Sequence, residues 1–373
     1  MLQDKKFIFY SSIHLEKWNH LTPLTKGIGG SETSHIELAK RLLLNHNQVH
    51  SFIPLEPQLF LFEDNWVFDY KDFDSHKYTD NLVIVYRDPT FFDKELNPQN
   101  KYYFMAQDVD YDWTEERLSK IDKYICLCPV HAQYTKSKYP SLESKIILSS
   151  NGISSDRIIE IKEKIQHIRN PNKIVYTSSP DRGLLLILEN WFRILEINPN
   201  AEFHFYYGFK NAEEIIKVNN NSELIYLQQQ IAKLEKQKNV FNHGRLNQPD
   251  LIKELLTANV WFYPTDWPET SCISCMEAQA CGAIPVTNKH WALKQNILGG
   301  FMFDGIPQQN ARIKCEMFQQ AGELTLPHNF QSTSILREEM EKEALEVFNW
   351  DVFVEQFEHL YSNAFMCNTV TQN

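Results

Sequence analysis

The stretch Trp267-Pro-Glu-Thr-Ser-Cys-Ile-Ser-Cys-Met-Glu277 decides the reading of this chain. It sits between Val260-Trp-Phe-Tyr-Pro-Thr265, a short apolar run closed by proline that reads as a buried strand, and a helical pattern with Ile273, Met276, Ala280 and Cys281, which Gly282 stops. Thr270 and Ser271 are good N-cap types for that helix. Glu269 is therefore expected in the loop, and Glu277 within the helix, roughly two turns further on. The backbone N–H groups of the first helical turn have no intrahelical partner and favour an anionic ligand such as a diphosphate. One carboxylate could accept bonds from sugar hydroxyls and the other from a ribose. Taken alone, two acids at this spacing favour a plainer reading, with Glu269 a surface loop acid and Glu277 a solvated helix residue.

Length and composition narrow the classes. With 373 residues, the chain exceeds what one core typically supports, so two domains are expected. Hydrophobic content of 43% is ample for burial, and a formal net charge of −11 argues against a nucleic-acid binder. No stretch approaches a membrane span, and the first residues lack a signal-peptide core, so a cytoplasmic location is expected. A few early lysines leave peripheral membrane contact open. The seven cysteines are scattered rather than framed for disulfides, and the CxxC of Cys272 and Cys275 has no second pair for zinc, so small packing residues are expected there. Glycine is scarce, 12 residues against an average near 7%, and several of these fall at the ends of expected elements.

Working outward, strand-like and helix-like runs alternate. Strands are expected at residues 6–11, 49–53, 82–86, 102–105, 124–127 and 145–148, with an amphipathic helix over 31–44. A second series follows at 173–177, 202–207, 239–242, 260–263 and 284–287. Near-continuous apolar strands separated by helices imply α/β architecture, with parallel sheets covered on both faces. Two such series predict two Rossmann-like, doubly wound domains facing a central cleft. The expected boundaries are an N-terminal acceptor-side domain over 1–155, a polar linker over 156–172, a nucleotide-sugar-binding domain over 173–348, a helix over 349–366 and a tail over 367–373. The Gln/Lys/Glu-rich stretch 211–238 reads as a surface helix, with Leu224, Leu227, Ile231 and Leu234 at helical spacing.

Three further loops carry candidate chemistry. Gly27-Ile-Gly-Gly-Ser-Glu32 is not a dinucleotide fingerprint, because Glu32 stands where GxGxxG has its last glycine. Gly29 and Gly30 would let the backbone approach a phosphate or sugar, or the loop is a helix entry capped by Ser31. Thr177-Ser-Ser-Pro-Asp-Arg-Gly183 places Arg182 as a forked diphosphate clamp or as the partner of Asp181. Phe241-Asn-His-Gly-Arg245 offers Arg245 as a second cation, with His243 either lining the cleft or structural.

Taken in order, Gly27–Glu32, Ser178–Leu184, Asn198–His204 with Tyr207-Gly208, and Tyr263-Pro-Thr265 through Glu277-Ala-Gln-Ala-Cys-Gly-Ala-Ile-Pro-Val286 resemble a retaining glycosyltransferase of the GT-B fold, family 4 (glycosyl transferases group 1). Ile121-Asp122, Ser150-Asn-Gly-Ile153 and Trp350-Asp351 extend the resemblance over nearly the whole chain. It implies a hexosyltransferase-type enzyme using a UDP- or GDP-sugar donor and a saccharide, lipid-linked or protein acceptor, with no cofactor and no metal. Glu269, with Thr270, Ser271 and Cys272, would hold the donor, and Glu277 would bond the ribose. Arg182 would bind the diphosphate, Gly29 and Gly30 would face the donor phosphates or acceptor, and Asp108 would join Glu269 and Arg182 in the catalytic set. The final helix would return to the first domain.

The chain departs from the family where a His-Asp pair is common, reading Ala106-Gln107-Asp108 instead. Gln107 can bond a hydroxyl but cannot act as an acid. The usual second basic residue beside Arg182 is not evident either, and Arg245 is the substitute. A catalytically silent GT-B protein binding a nucleotide or a partner transferase, or a GT-B phosphorylase or epimerase, are the competing readings.

Overall fold

The computed structural model describes residues 5–13, 16–56 and 66–365. The expected tail over 367–373, with Cys367, lies outside them. The chain divides into two compact units, one comprising 1–22, 28–152 and 350–373, the other 23–27 and 153–349.

Among the described residues, the first unit holds seven strands: β1 Lys6–Tyr10, β2 Gln48–Ile53, β3 Val67–Asp69, β4 Leu82–Tyr86, β5 Lys101–Met105, β6 Lys123–Cys126 and β7 Ile146–Leu148. They form one sheet in the order β3-β2-β1-β4-β5-β6-β7, parallel throughout. Because successive side chains point to opposite faces, Phe7 and Phe9 of β1 join one core while Ile8 and Tyr10 join the other. The first core takes Leu38 and Leu42 from the helix Gly30–Leu44, and Val354, Phe357 and Tyr361 from the helix Trp350–Phe365. Burying each of these large side chains stabilises by about 1.5–3 kcal/mol, which fixes the last helix to the first unit.

The second unit holds β8 Lys173–Tyr176, β9 Glu202–Phe205, β10 Val240–Asn242, β11 Val260–Tyr263, β12 Ile284–Asn288 and β13 Phe301–Phe303, in the parallel order β10-β9-β8-β11-β12-β13. β8 and β11 are buried along their whole length, as strands covered on both faces must be. Strand order reverses between β1 and β4 in one sheet and between β8 and β11 in the other, and the crevice beyond the carboxyl ends at such a point is where ligands bind in these sheets.

Several expectations change. Within the stretch 156–172, taken as a linker, residues Ser155–Lys164 form a helix whose Ile158 enters the core of the second unit; its polar residues are the solvent side of an amphipathic pattern. The surface helix over 211–238 is two helices, Lys210–Asn219 and Ser222–Leu234, broken where Asn220 turns left-handed and Asn221 caps the second. β3 and β13, of three residues each, are too short to show a period. No helix among the described residues is long and apolar enough to cross a membrane.

Candidate functional site

In the second unit, the loops after β8 and β11 are pressed together. Gly183 follows the turn Pro180–Arg182 with φ +118°, and a Cβ there would lie 2.2 Å from the Pro264 carbonyl oxygen, so only glycine lets the two loops close. That contact sets Arg182 against Glu269. Arg182 Nη1 donates to both carboxylate oxygens of Glu269, at 3.1 and 3.4 Å, and Tyr263 Oη donates to Oε1 at 2.5 Å. The Arg182 guanidinium also lies 4.6 Å from the centre of the Trp267 ring. The residue pairs across the two loops with Glu269 rather than forming an ion pair with the adjacent Asp181.

Glu269 is 5% exposed and the Arg182 side chain 30%. Burial alone would disfavour the charged guanidinium, and the facing Glu269, followed by Tyr263, more than offsets this and raises its pKa. Burial and then Glu269 push the Tyr263 phenol well up, keeping it a donor. Arg182 Nε is buried and has no hydrogen-bond partner, an unused N–H of a charged group.

The helix carrying Glu277 begins at Ile273 and ends at Ala280. Its cap position is Cys272, not Thr270 or Ser271, because Asn296 Oδ1 accepts the Cys272 N–H at 2.9 Å and fixes the entry from outside. Thr270 is buried and Ser271 partly so, both in the loop before it. Burial, then Glu269, pushes the Cys272 thiol up, and Cys275 is likewise raised; both are buried neutral thiols, matching their reading as packing residues. Glu277, 6% exposed, accepts from Gln248 Nε2 at 2.7 Å, and Gln248 in turn accepts from Arg157 of the helix Ser155–Lys164. Arg245 stands after β10 with its guanidinium 5.5 Å from the Tyr207 ring, and Tyr207 also acts on the charge of Arg182. Gly27 belongs to this unit, where a Cβ would meet the Leu246 carbonyl oxygen at 2.4 Å.

In the first unit, Gly29 caps the helix Gly30–Leu44 with φ −70°, so Ser31 is inside the helix rather than its cap. The glycine is required by space: a Cβ on Gly29 would lie 2.4 Å from Glu32 Oε2. Glu32 reaches Arg87 Nη1 at 3.5 Å, and Arg87 Nε donates to Asp108 Oδ2 at 2.7 Å. Arg87 follows β4 with φ +62°, a left-handed backbone uncommon outside glycine. The Asp108 backbone N–H donates to Tyr111 Oη at 2.8 Å. Gln107, buried, exchanges two amide hydrogen bonds with Asn151 at 3.0 and 3.1 Å and donates to Ser34 Oγ at 3.2 Å.

Arg182 and Glu269 are thus brought together, and Glu277 is paired with Gln248. Gly29, Gly30 and Asp108 gather in the other unit. Sequence reasoning missed Arg87, in the loop after β4, and Gln248, at the start of the helix Gln248–Leu256, whose positions carried no pattern, and it gave Tyr207 no role beyond the resemblance. Trp267 and Tyr263 lay in or beside the opening stretch, and their aromatic character next to Glu269 was the available signal.

Residues 158–297 match the family model described as glycosyl transferases group 1. The chain resembles sucrose-phosphate synthase from Thermosynechococcus elongatus at TM-score 0.69 and 14% identity, covering 98% of this chain and 100% of that one. An α,α-trehalose-phosphate synthase (UDP-forming) from Burkholderia vietnamiensis matches at TM-score 0.70 and 12% identity, covering 99% of each chain. Anabaena HepE in complex with UDP and glucose matches at 0.63 and 13%, covering 96% of this chain and 99% of that one. No curated protein sequence matches significantly. The two parallel sheets and these likenesses define the GT-B fold, as the resemblance implied. The match to glycosyl transferases group 1 lies wholly within the second unit.

Proposed function

We propose that the chain is a retaining, family 4 hexosyltransferase that moves a sugar from a nucleotide diphosphate sugar to a saccharide, lipid-linked or protein acceptor, in the cytoplasm and without a metal in the transfer step. The observation that carries this is the buried Arg182–Glu269 pair, which leaves the Arg182 Nε–H unpartnered beside the loop that enters the helix Ile273–Ala280. A charged donor with an open N–H at a helix entrance suits a phosphate oxygen.

In this reading the bond between the sugar C1 and the β-phosphate oxygen breaks, and the negative charge growing on the departing diphosphate is met by Arg182, Arg245 and the helix N-terminus. The acceptor oxygen bonds to C1 on the face the diphosphate leaves, and its proton passes to the departing phosphate, so anomeric configuration is kept. Glu269, held by Tyr263, accepts hydrogen bonds from the transferred sugar, and Glu277 from the ribose. Thr270, Ser271 and Cys272 form the wall between them. Within the first unit, Asp108, tied to Arg87, is the catalytic candidate, and Gly29 and Gly30 are the candidates for phosphate or acceptor. UDP- and GDP-sugars are the donors to test first; the UDP and glucose held by Anabaena HepE favour uridine. Peripheral contact with a membrane would suit a lipid-linked acceptor.

The test is a donor-turnover assay over UDP-, GDP- and ADP-sugars with two variants. Glu269→Ala should lower kcat by about 100-fold, while Glu277→Ala should weaken nucleoside diphosphate binding about tenfold, the loss of one charged hydrogen bond. Parent-like transfer by both variants would refute the site. Inertness of the parent towards every donor, with tight nucleotide binding, would replace transfer by the silent-binder reading.

A further inference from the structure

Outside the Arg182–Glu269 constellation, the second unit gathers three Lewis bases at its sheet edge. His204 is on β9, His243 follows the edge strand β10, and Glu254 comes from the helix Gln248–Leu256. One ligand atom from each lies within 4.8 Å of the others. His204 Nδ1 and His243 Nε2 are 2.9 Å apart. Two imidazole nitrogens at that distance share either a proton or a metal ion, and around a tetrahedral ion with bonds of about 2.0–2.1 Å, ligand atoms stand about 3.3 Å apart.

The neighbours of these three side chains hold each of them in place. His204 Nε2 faces Glu202 Oε2 at 3.4 Å, and Glu202 Oε2 accepts from Asn170 Nδ2 at 2.8 Å, so the carboxylate that would fix the ring is itself fixed. That places the N–H of His204 on Nε2 and turns the Nδ1 lone pair inward, the arrangement metal-ligating histidines adopt. The His243 ring stacks on Tyr206, with centroids 4.7 Å apart and planes 14° apart, and meets His204 edge to edge through the two nitrogens, with centroids 5.2 Å apart. Glu254 is held in place by Tyr206 Oη at 2.6 Å and Lys173 Nζ at 2.5 Å, both on Oε2.

We propose that His204 Nδ1, His243 Nε2 and Glu254 Oε1 bind one zinc-type divalent cation, with water in the fourth position on the exposed side of His243. Two imidazoles and a carboxylate suit zinc or a neighbouring first-row ion better than magnesium or calcium. The ion ties β9, the turn after β10 and the helix Gln248–Leu256 together. His243 is two residues from Arg245, and Gly244 accepts the Tyr207 N–H at 2.9 Å, so the ion would fix the loop that presents Arg245. This inference does not depend on sugar transfer.

The experiment uses the full chain, stripped with a chelator and titrated with Zn2+ by calorimetry and with Co2+ by visible absorption, alongside thermal melting. One ion per chain, a Co2+ spectrum of low coordination number and a raised melting temperature are expected. His243→Ala, at an exposed position, should melt like the stripped parent without metal and lose at least tenfold in affinity. Glu202→Gln, which touches no ion, should lose about tenfold through the orientation of His204. Absence of stoichiometric binding to the parent, or affinity in His243→Ala within twofold of the parent, would overturn the site. Parent-like affinity in Glu202→Gln would overturn the assigned His204 tautomer, and with it the proposed ligand set.

Discussion

Arg182, in the turn after β8, and Glu269, in the loop after β11, are 87 residues apart in the chain and 3.1 Å apart in space. Glu269 also takes the Tyr263 hydroxyl, so replacing its charge leaves Arg182 without a counter-charge while the packing is kept. Glu269→Gln should therefore cost about 1.5–3 kcal/mol in urea unfolding. A double-mutant cycle with Arg182→Met should return a coupling of about 1–3 kcal/mol. Coupling indistinguishable from zero would mean that the pair does not hold the two loops together.

Trp267 is 38% exposed and lies under the Arg182 guanidinium. Its removal should disturb the cation more than the fold. For Trp267→Ala, we expect a donor KM raised about two- to fivefold, the worth of a half-exposed cation–π contact, with melting within a few degrees of the parent. A large drop in melting temperature with unchanged KM would assign the ring to packing alone.

Gly183 and Gly244 both have positive φ, +118° and +64°, but their surroundings differ. An added methyl at Gly183 strikes the Pro264 carbonyl, whereas nothing lies within 4 Å at Gly244. Gly244→Ala should cost about 1–2 kcal/mol, from backbone conformation. Gly183→Ala should cost more and should also impair donor turnover, because the loop holding Arg182 must withdraw. Equal unfolding midpoints for the two variants would show that the β8 and β11 loops are not tightly apposed.

His35 is fully buried among Phe9, Trp18 and Tyr86, with Nε2 on Ser51 Oγ at 2.7 Å. Burial lowers its pKa from 6.5 to about 3. The unfolded chain then binds a proton that the folded chain refuses. The stabilisation is complete above pH 6.5 and is lost as pH falls from there towards 3, at up to about 1.4 kcal/mol per pH unit. Urea unfolding at pH 7, 6 and 5 should show this slope, and His35→Gln should flatten it. An identical slope in the variant would assign acid sensitivity to other groups, His131 first, whose pKa burial lowers to about 4.

The alternation of apolar strands and amphipathic helices was enough to read two doubly wound domains, because a parallel strand covered on both faces is apolar along its length, as Val260–Tyr263 is. The same logic failed at residues 155–164, where a helix with one buried side has many polar residues and reads as a linker. The placement of Arg182 and Glu269 in strand-end loops and of Glu277 in the following helix was legible because glycine, proline and strand ends mark those junctions. Their partners were not. Nothing local to Gln248 or Arg87 announces that they hold Glu277 and Asp108, respectively.

The sequence by itself determined the fold class and the loops at the strand ends, since periodicity and turn chemistry act over a few residues. Tertiary structure alone decided that Arg182 faces Glu269 rather than forming an ion pair with Asp181, that Asn296 moves the cap to Cys272, and that His204, His243 and Glu254 converge. Each of these depends on side chains brought within hydrogen-bond reach by the pairing and covering of strands far apart in the chain.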